Sequence, residues 1–111
     1  MGHKIDFLAM QWIEAAPGLR YKKYLHNKQQ IRLAEFSEGF IEEDWCTKAH
    51  SGYVVEGTFA INYNGEIERY CEGDAFHIPS GDAHKHKVIM AQGEKAVLLL
   101  CENTDEERLI C

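Results

Sequence analysis

Apolar and polar positions alternate in short runs along the chain, and no window sustains the apolar spacing of an amphipathic helix. Residues 21–25 and 30–36 read as two strands around His26-Asn27-Lys28, a plausible hairpin loop. Residues 53–63 are rich in β-branched and aromatic side chains and run into Asn64-Gly65. Residues 66–71 follow, and Asn-Gly between two such runs is the strongest short-range hairpin signal. Residues 75–78, 84–90 and 96–101 are further strand candidates. Residues 5–12 form an apolar-rich opening segment, and residues 44–47 form a short segment holding Trp45 and Cys46. Ala16-Pro17-Gly18 and Glu38-Gly39 are turn signals. About nine strands with turn signals every eight to twelve residues predict an all-β sandwich or barrel. The best helix candidate, residues 103–109, is short and mostly charged, and a solvated tail is the competing expectation.

A chain of 111 residues is expected to form one domain, residues 1–111. At that size it buries roughly two-thirds of the surface its unfolded form exposes, so a core needs no disulfides. Eighteen acidic residues against twelve basic ones give a net charge of −6. That balance argues against nucleic acid as a partner, since phosphate binding needs a basic face. The longest apolar run, residues 96–101, is far shorter than the ~20 residues of a membrane-spanning helix. No signal peptide is expected, and the cytoplasm is the expected location. Cysteines stand at 46, 71, 101 and 111 without a Cys-x-x-Cys pair, which in a reducing compartment predicts free thiols.

Residues 73–84 read Gly-Asp-Ala-Phe-His-Ile-Pro-Ser-Gly-Asp-Ala-His, a G-x5-P-x-G-x2-H spacing. The tight Pro-Ser-Gly turn fixes where the following His84 points, as a metal ligand requires. Upstream, His50-Ser-Gly-Tyr-Val-Val-Glu-Gly57 brings a second histidine into another strand. The first of these stretches resembles the second signature of the cupin superfamily, and the Tyr53-Val54-Val55-Glu56-Gly57 run resembles the strand that closes its first signature. The resemblance covers residues 39–101 and implies a double-stranded β-helix, a jelly-roll barrel. Counting back from Gly57, it places the family's ligand positions at Asp44, Cys46 and His50, with His84 as the fourth. Val88 stands where the second signature often ends in Asn. The family hosts many chemistries, so the resemblance selects none of them.

The donor set Asp44, Cys46, His50 and His84 consists of legitimate ligands for a divalent metal. Asp44 and Cys46 are two apart and would share a face on a strand. Soft sulfur favours zinc over iron, nickel or copper. Cys46 filling core volume and His50 bonding to backbone are the structural alternatives. His86 shares the face of His84 and is a candidate proton-transfer group, a further ligand or an outer partner. Glu56 shares strand parity with His50 and is a candidate acid or base, whereas His77 should face out.

Three functions follow. The chain acts on a small oxygen-bearing molecule with its metal, or it binds a small molecule without turnover, or it is a metal-free isomerase or epimerase. A homodimer is implied by the resemblance, with an N-terminal strand at residues 5–13 as the expected interface, because its apolar side chains exceed what a free end should expose.

Overall fold

The structure is a computed structural model, and it describes residues 2–104. Eight strands follow one another: β1 (Ile13–Ala16), β2 (Leu19–His26), β3 (Gln29–Ser37), β4 (His50–Tyr63), β5 (Glu66–Cys71), β6 (Ala75–Ile78), β7 (Lys87–Ile89) and β8 (Lys95–Asn103). Two turns set the main hairpins. Asn27 and Lys28 both have positive φ (47° and 68°), as do Asn64 and Gly65 (54° and 106°). Paired positive φ values match the right-handed twist of the strands they join.

One sheet runs β6-β4-β8-β3-β2-β1, and the second is β5-β4-β7. All of these pairings are antiparallel. β4 belongs to both sheets: residues 51–57 pair with β8, and residues 58–63 pair with β5. The handover falls at Gly57, whose φ is +86° and whose hypothetical Cβ would sit 1.9 Å from the Lys95 carbonyl oxygen. A side chain there would collide with backbone, so the bend needs glycine. The sheets curl around a core that includes Leu19, Tyr21, Phe36, Val54, Phe59, Ile61, Leu98 and Leu100. This is the all-β jelly-roll architecture expected from the strand pattern.

The apolar run of β8 divides between its two faces. Ala96, Leu98 and Leu100 are core, Val97 and Leu99 are half-buried on the outer face, and Cys101 is exposed there. Tyr53 of β4 lies opposite Leu99 and is 48% exposed, so the outer face is itself apolar.

Two segments differ from expectation. Residues 5–13 are not a strand: Phe7–Ala9 form one 3-10 turn, and β1 begins only at Ile13. Trp12 lies beside the Arg20 and Lys22 cations, 4.2 and 4.7 Å from its ring centre, and the Lys22 ammonium donates to the Phe7 carbonyl. These contacts hold the segment against β2 of its own chain. Residues 84–90 yield only the short β7, because Asp82–His84 form a second 3-10 turn. The tail at 105–109 lies outside the described residues. Among the described residues, no helix is long and apolar enough to cross a membrane.

Candidate metal centre

The segment before β4 runs antiparallel to β7 without forming a full strand. Ile41 bridges Ile89, and Cys46 bridges His86. The Cys46 N–H donates to the His86 carbonyl at 2.9 Å, and the His86 N–H donates back at 3.0 Å. This exchange sets Cys46 and His86 side by side. His50, the first residue of β4, pairs with Ile78 and enters the barrel beside them. One donor atom from each of Cys46, His50 and His86 lies within 4.8 Å of the other two. All three residues are buried, at 1%, 8% and 3% exposure. His50 Nε2 is 3.3 Å from Cys46 Sγ, and the two imidazoles meet edge to face at 5.2 Å.

A buried network fixes His50. Its Nδ1 lies 2.5 Å from Glu102 Oε2. Arg32 holds the same carboxylate with two bonds, Nε to Oε1 at 2.7 Å and Nη2 to Oε2 at 2.6 Å, and the Gln30 amide donates to Oε1 at 3.0 Å. Burial alone would raise the Glu102 pKa, but the His50 hydrogen bond and the Arg32 charge outweigh it and hold the carboxyl at about 2. An ionised carboxylate only accepts, so Nδ1 carries the proton and Nε2 presents its lone pair to the cluster. A carboxylate behind a histidine is the common outer partner of a metal ligand.

His86 is oriented by backbone. Its Nδ1–H donates to the His84 carbonyl at 3.0 Å, which leaves Nε2 as the free acceptor. Burial, with His50 nearby, pushes its pKa below the ordinary histidine value, against the opposing backbone bond. Neutral imidazole is the ligating form.

Three residues expected at the site lie elsewhere. Asp44 sits at a bend rather than on a strand, so strand alternation does not apply, and its side chain is exposed. His84 ends the 3-10 turn and is exposed, and His86, two residues on, takes the inward position. Glu56 is exposed because the register of β4 against β8 slips between Val54 and Glu56. A bulge there cancels the parity that should have turned it inward. His77 faces out as expected, 2.7 Å from Ser51 Oγ.

The sequence reading missed Gln30, Arg32, Glu102 and Glu42. The first three occupy inward positions of β3 and β8, in phase with Ala34, Phe36 and Leu100. A polar residue at a core phase was the available signal. Glu42 lines a cavity of about 30 Å³ together with Arg32, His50, His86 and apolar side chains that include Phe59 and Leu98. Burial raises its carboxyl to about 7, against a smaller lowering by the Val88 N–H and the Lys87 charge.

Cys71 and Cys101 are free thiols, as expected, whereas Cys46 is disulfide-bonded. The thiolate is the ligating form of cysteine, so the cluster offers three donors only when Cys46 is reduced. In that state the three donors are close enough to share one divalent ion.

A family model described as the cupin domain matches residues 45–101. No curated protein matches the sequence. Among solved structures, the chain is similar to KdgF from Halomonas sp., at 23% identity and a TM-score of 0.75, covering 96% of this chain and 97% of that one. It is similar to the polyketide cyclase RemF from Streptomyces resistomycificus, at 16% identity and a TM-score of 0.75, covering 98% and 89%. An RmlC-like cupin from Shewanella frigidimarina aligns at 19% identity and a TM-score of 0.68, covering 95% of each chain. These identities speak to fold. With the matched stretch spanning both halves of β4 and reaching Cys101 in β8, the chain belongs to the cupin family.

Proposed function

We propose that this cupin is a metal-dependent protein in which reduced Cys46, His50 and His86 hold one divalent ion, and that it acts on a small oxygen-bearing molecule. The observation that carries this reading is the convergence of three buried donors within 4.8 Å, one of them held by an ionised carboxylate. Zinc is favoured by the sulfur over iron, nickel or copper. Bound there, the ion supplies Lewis acidity toward an oxygen atom of the ligand. The chain's own residues do the rest. Glu102 keeps the His50 lone pair aimed inward, burial keeps His86 neutral, and the apolar walls exclude bulk water. Asp44, His84 and Glu56 have no part in this assignment.

The test is metal content. Protein purified without chelator and kept reduced is expected to carry about one zinc per chain and to melt higher with zinc than after chelation. Reduced protein with no bound metal and an unchanged melting point defeats the reading. A metal-free isomerase would instead tolerate Cys46→Ala, whereas a metal protein loses its ion.

A second copy of the chain is the partner we assign to the outer face around Tyr53 and Leu99. Tyr53 is exposed there beside half-buried Val97 and Leu99, an apolar patch of the kind that marks a protein interface.

A further inference from the structure

Among the described residues, Glu42 is the one ionisable side chain on the cavity wall that the network does not consume. Arg32 is tied to Glu102, and His50 and His86 are ring-oriented by Glu102 and the His84 carbonyl. Glu42 is anchored through a single oxygen: its Oε1 accepts the Val88 N–H at 2.8 Å. Among the described residues, Oε2 has no hydrogen-bond partner. The anchor is structural, since Val88 sits on β7 between two bridges, Ile41 to Ile89 and Cys46 to His86. Both flanks of the carboxyl are therefore pinned. The adjoining space of about 30 Å³ holds a water molecule or a few atoms of a ligand.

Glu42 is half-buried, and an oxygen drawn into a cavity wall forfeits a hydrogen bond unless solvent or a ligand restores it. The Oε2 atom is thus open to a water or to a ligand that enters the cavity. Its surroundings narrow what that is. The charged groups facing it are Lys87, which lowers its pKa, and Arg32 beyond, already neutralised by Glu102. The Lys87 ammonium lies 4.7 Å from the Trp45 ring centre. Among the described residues no cation is paired with Glu42, and its carboxyl rises to about 7 through burial. It is therefore divided between its acid and carboxylate forms near neutrality, as general acid–base catalysis requires.

We infer that Glu42 is the acid–base residue of this cavity, and that its free oxygen exchanges a proton with a hydroxyl, carbonyl or water oxygen bound between it and the Cys46–His50–His86 cluster. The balance is simple. As an acid, Glu42 gives its proton to the ligand oxygen and is left as carboxylate. As a base, it takes that proton back, and no electrons leave the pair. The inference deepens the proposed function and rests on it for the occupant, but not for the placement of the carboxyl.

Two measurements test it, with Glu42→Gln as the variant, because the amide oxygen can still accept the Val88 N–H. The first uses reduced, metal-free protein. The infrared band of a protonated carboxylic acid is expected to titrate near pH 7 in the wild type and to vanish in the variant. A wild type without such a band, or a band that survives in E42Q, overturns the placement. The second uses cobalt-loaded protein with formate as the probe, read by the visible spectrum. Wild-type formate affinity is expected to fall more steeply with rising pH than that of E42Q, through the added repulsion of the ionised carboxylate. The same slope in both proteins overturns the role. If neither protein takes up cobalt, the cluster reading fails, and the infrared result still decides Glu42.

Discussion

His50 and Glu102, 52 positions apart in sequence, meet at 2.5 Å inside the barrel. That contact gives His50 one tautomer and gives the Arg32 guanidinium its buried counter-charge. Glu102→Ala is expected to cost about 3–5 kcal/mol, because it leaves a buried cation unpaired. Urea unfolding measures that loss. Zinc affinity of the folded fraction should fall about 10–100-fold, read by competition with a chromophoric chelator. A stability loss with unchanged zinc affinity would mean that Glu102 serves the fold alone.

The two unusual carboxyls pull stability in opposite directions with pH. Glu102 titrates at about 2 when folded and near the ordinary 4.5 when unfolded. The unfolded chain binds its proton first as pH falls, so about 3 kcal/mol of stability, present above 4.5, is lost on the way to about 2. Glu42 is the reverse: raised to about 7 from 4.5, it keeps its proton longer in the folded state. Its contribution is present below 4.5 and lost as pH rises through about 7. Glu42→Gln should therefore match wild type near pH 4.5 and exceed it by up to about 3 kcal/mol at pH 8. Chemical denaturation across pH decides this, and equal stabilities at pH 8 would contradict it.

The cluster discriminates sharply between neighbouring histidines. His86→Ala, His50→Ala or Cys46→Ala removes a donor and should abolish stoichiometric zinc binding in equilibrium dialysis. His84→Ala and Asp44→Ala should bind like wild type. Zinc lost with His84 and kept without His86 would reverse the assignment.

Gly57→Ala places a methyl group into the Lys95 carbonyl at a backbone angle that disfavours side chains. A loss exceeding about 4 kcal/mol is expected, enough to leave little soluble folded protein. Thermal melts of the purified variant provide the check.

Leu99→Glu puts a charge on the outer face opposite Tyr53 without entering the core. Light scattering should find wild type at twice the chain mass and the variant at the chain mass, with the fold retained by circular dichroism. A monomeric wild type at micromolar concentration excludes the second-copy assignment.

Much of the fold was legible where local chemistry dictates geometry. Asn64-Gly65 announced its hairpin because few other pairs accept two positive φ values, and β5 and β6 came out at their expected bounds. The site was legible in part. Cys46 and His50 carried a glycine-framed spacing, but the turn after Pro79 used three residues as a 3-10 coil, which handed the inward position from His84 to His86. Glu56 was misplaced by one bulge, which no parity count can detect. Glu102, Arg32 and Gln30 lie outside the signature positions, and what marks them in the sequence is a polar side chain in a core phase. The N-terminal apolar segment, residues 5–13, reads from the sequence as a strand at a homodimer interface, but only Ile13 is in a strand. Its tryptophan is instead engaged by two cations of its own sheet.

β8 lies between β3 and β4 although it follows every other strand in sequence. A nascent chain emerging from the ribosome can form the β2–β3 and β4–β5 hairpins early, yet neither can join the other until β8 arrives. The carboxylate that orients His50 rides on that same element. On the proposed metal assignment, ion capture therefore waits for β8 instead of guiding the strands made before it.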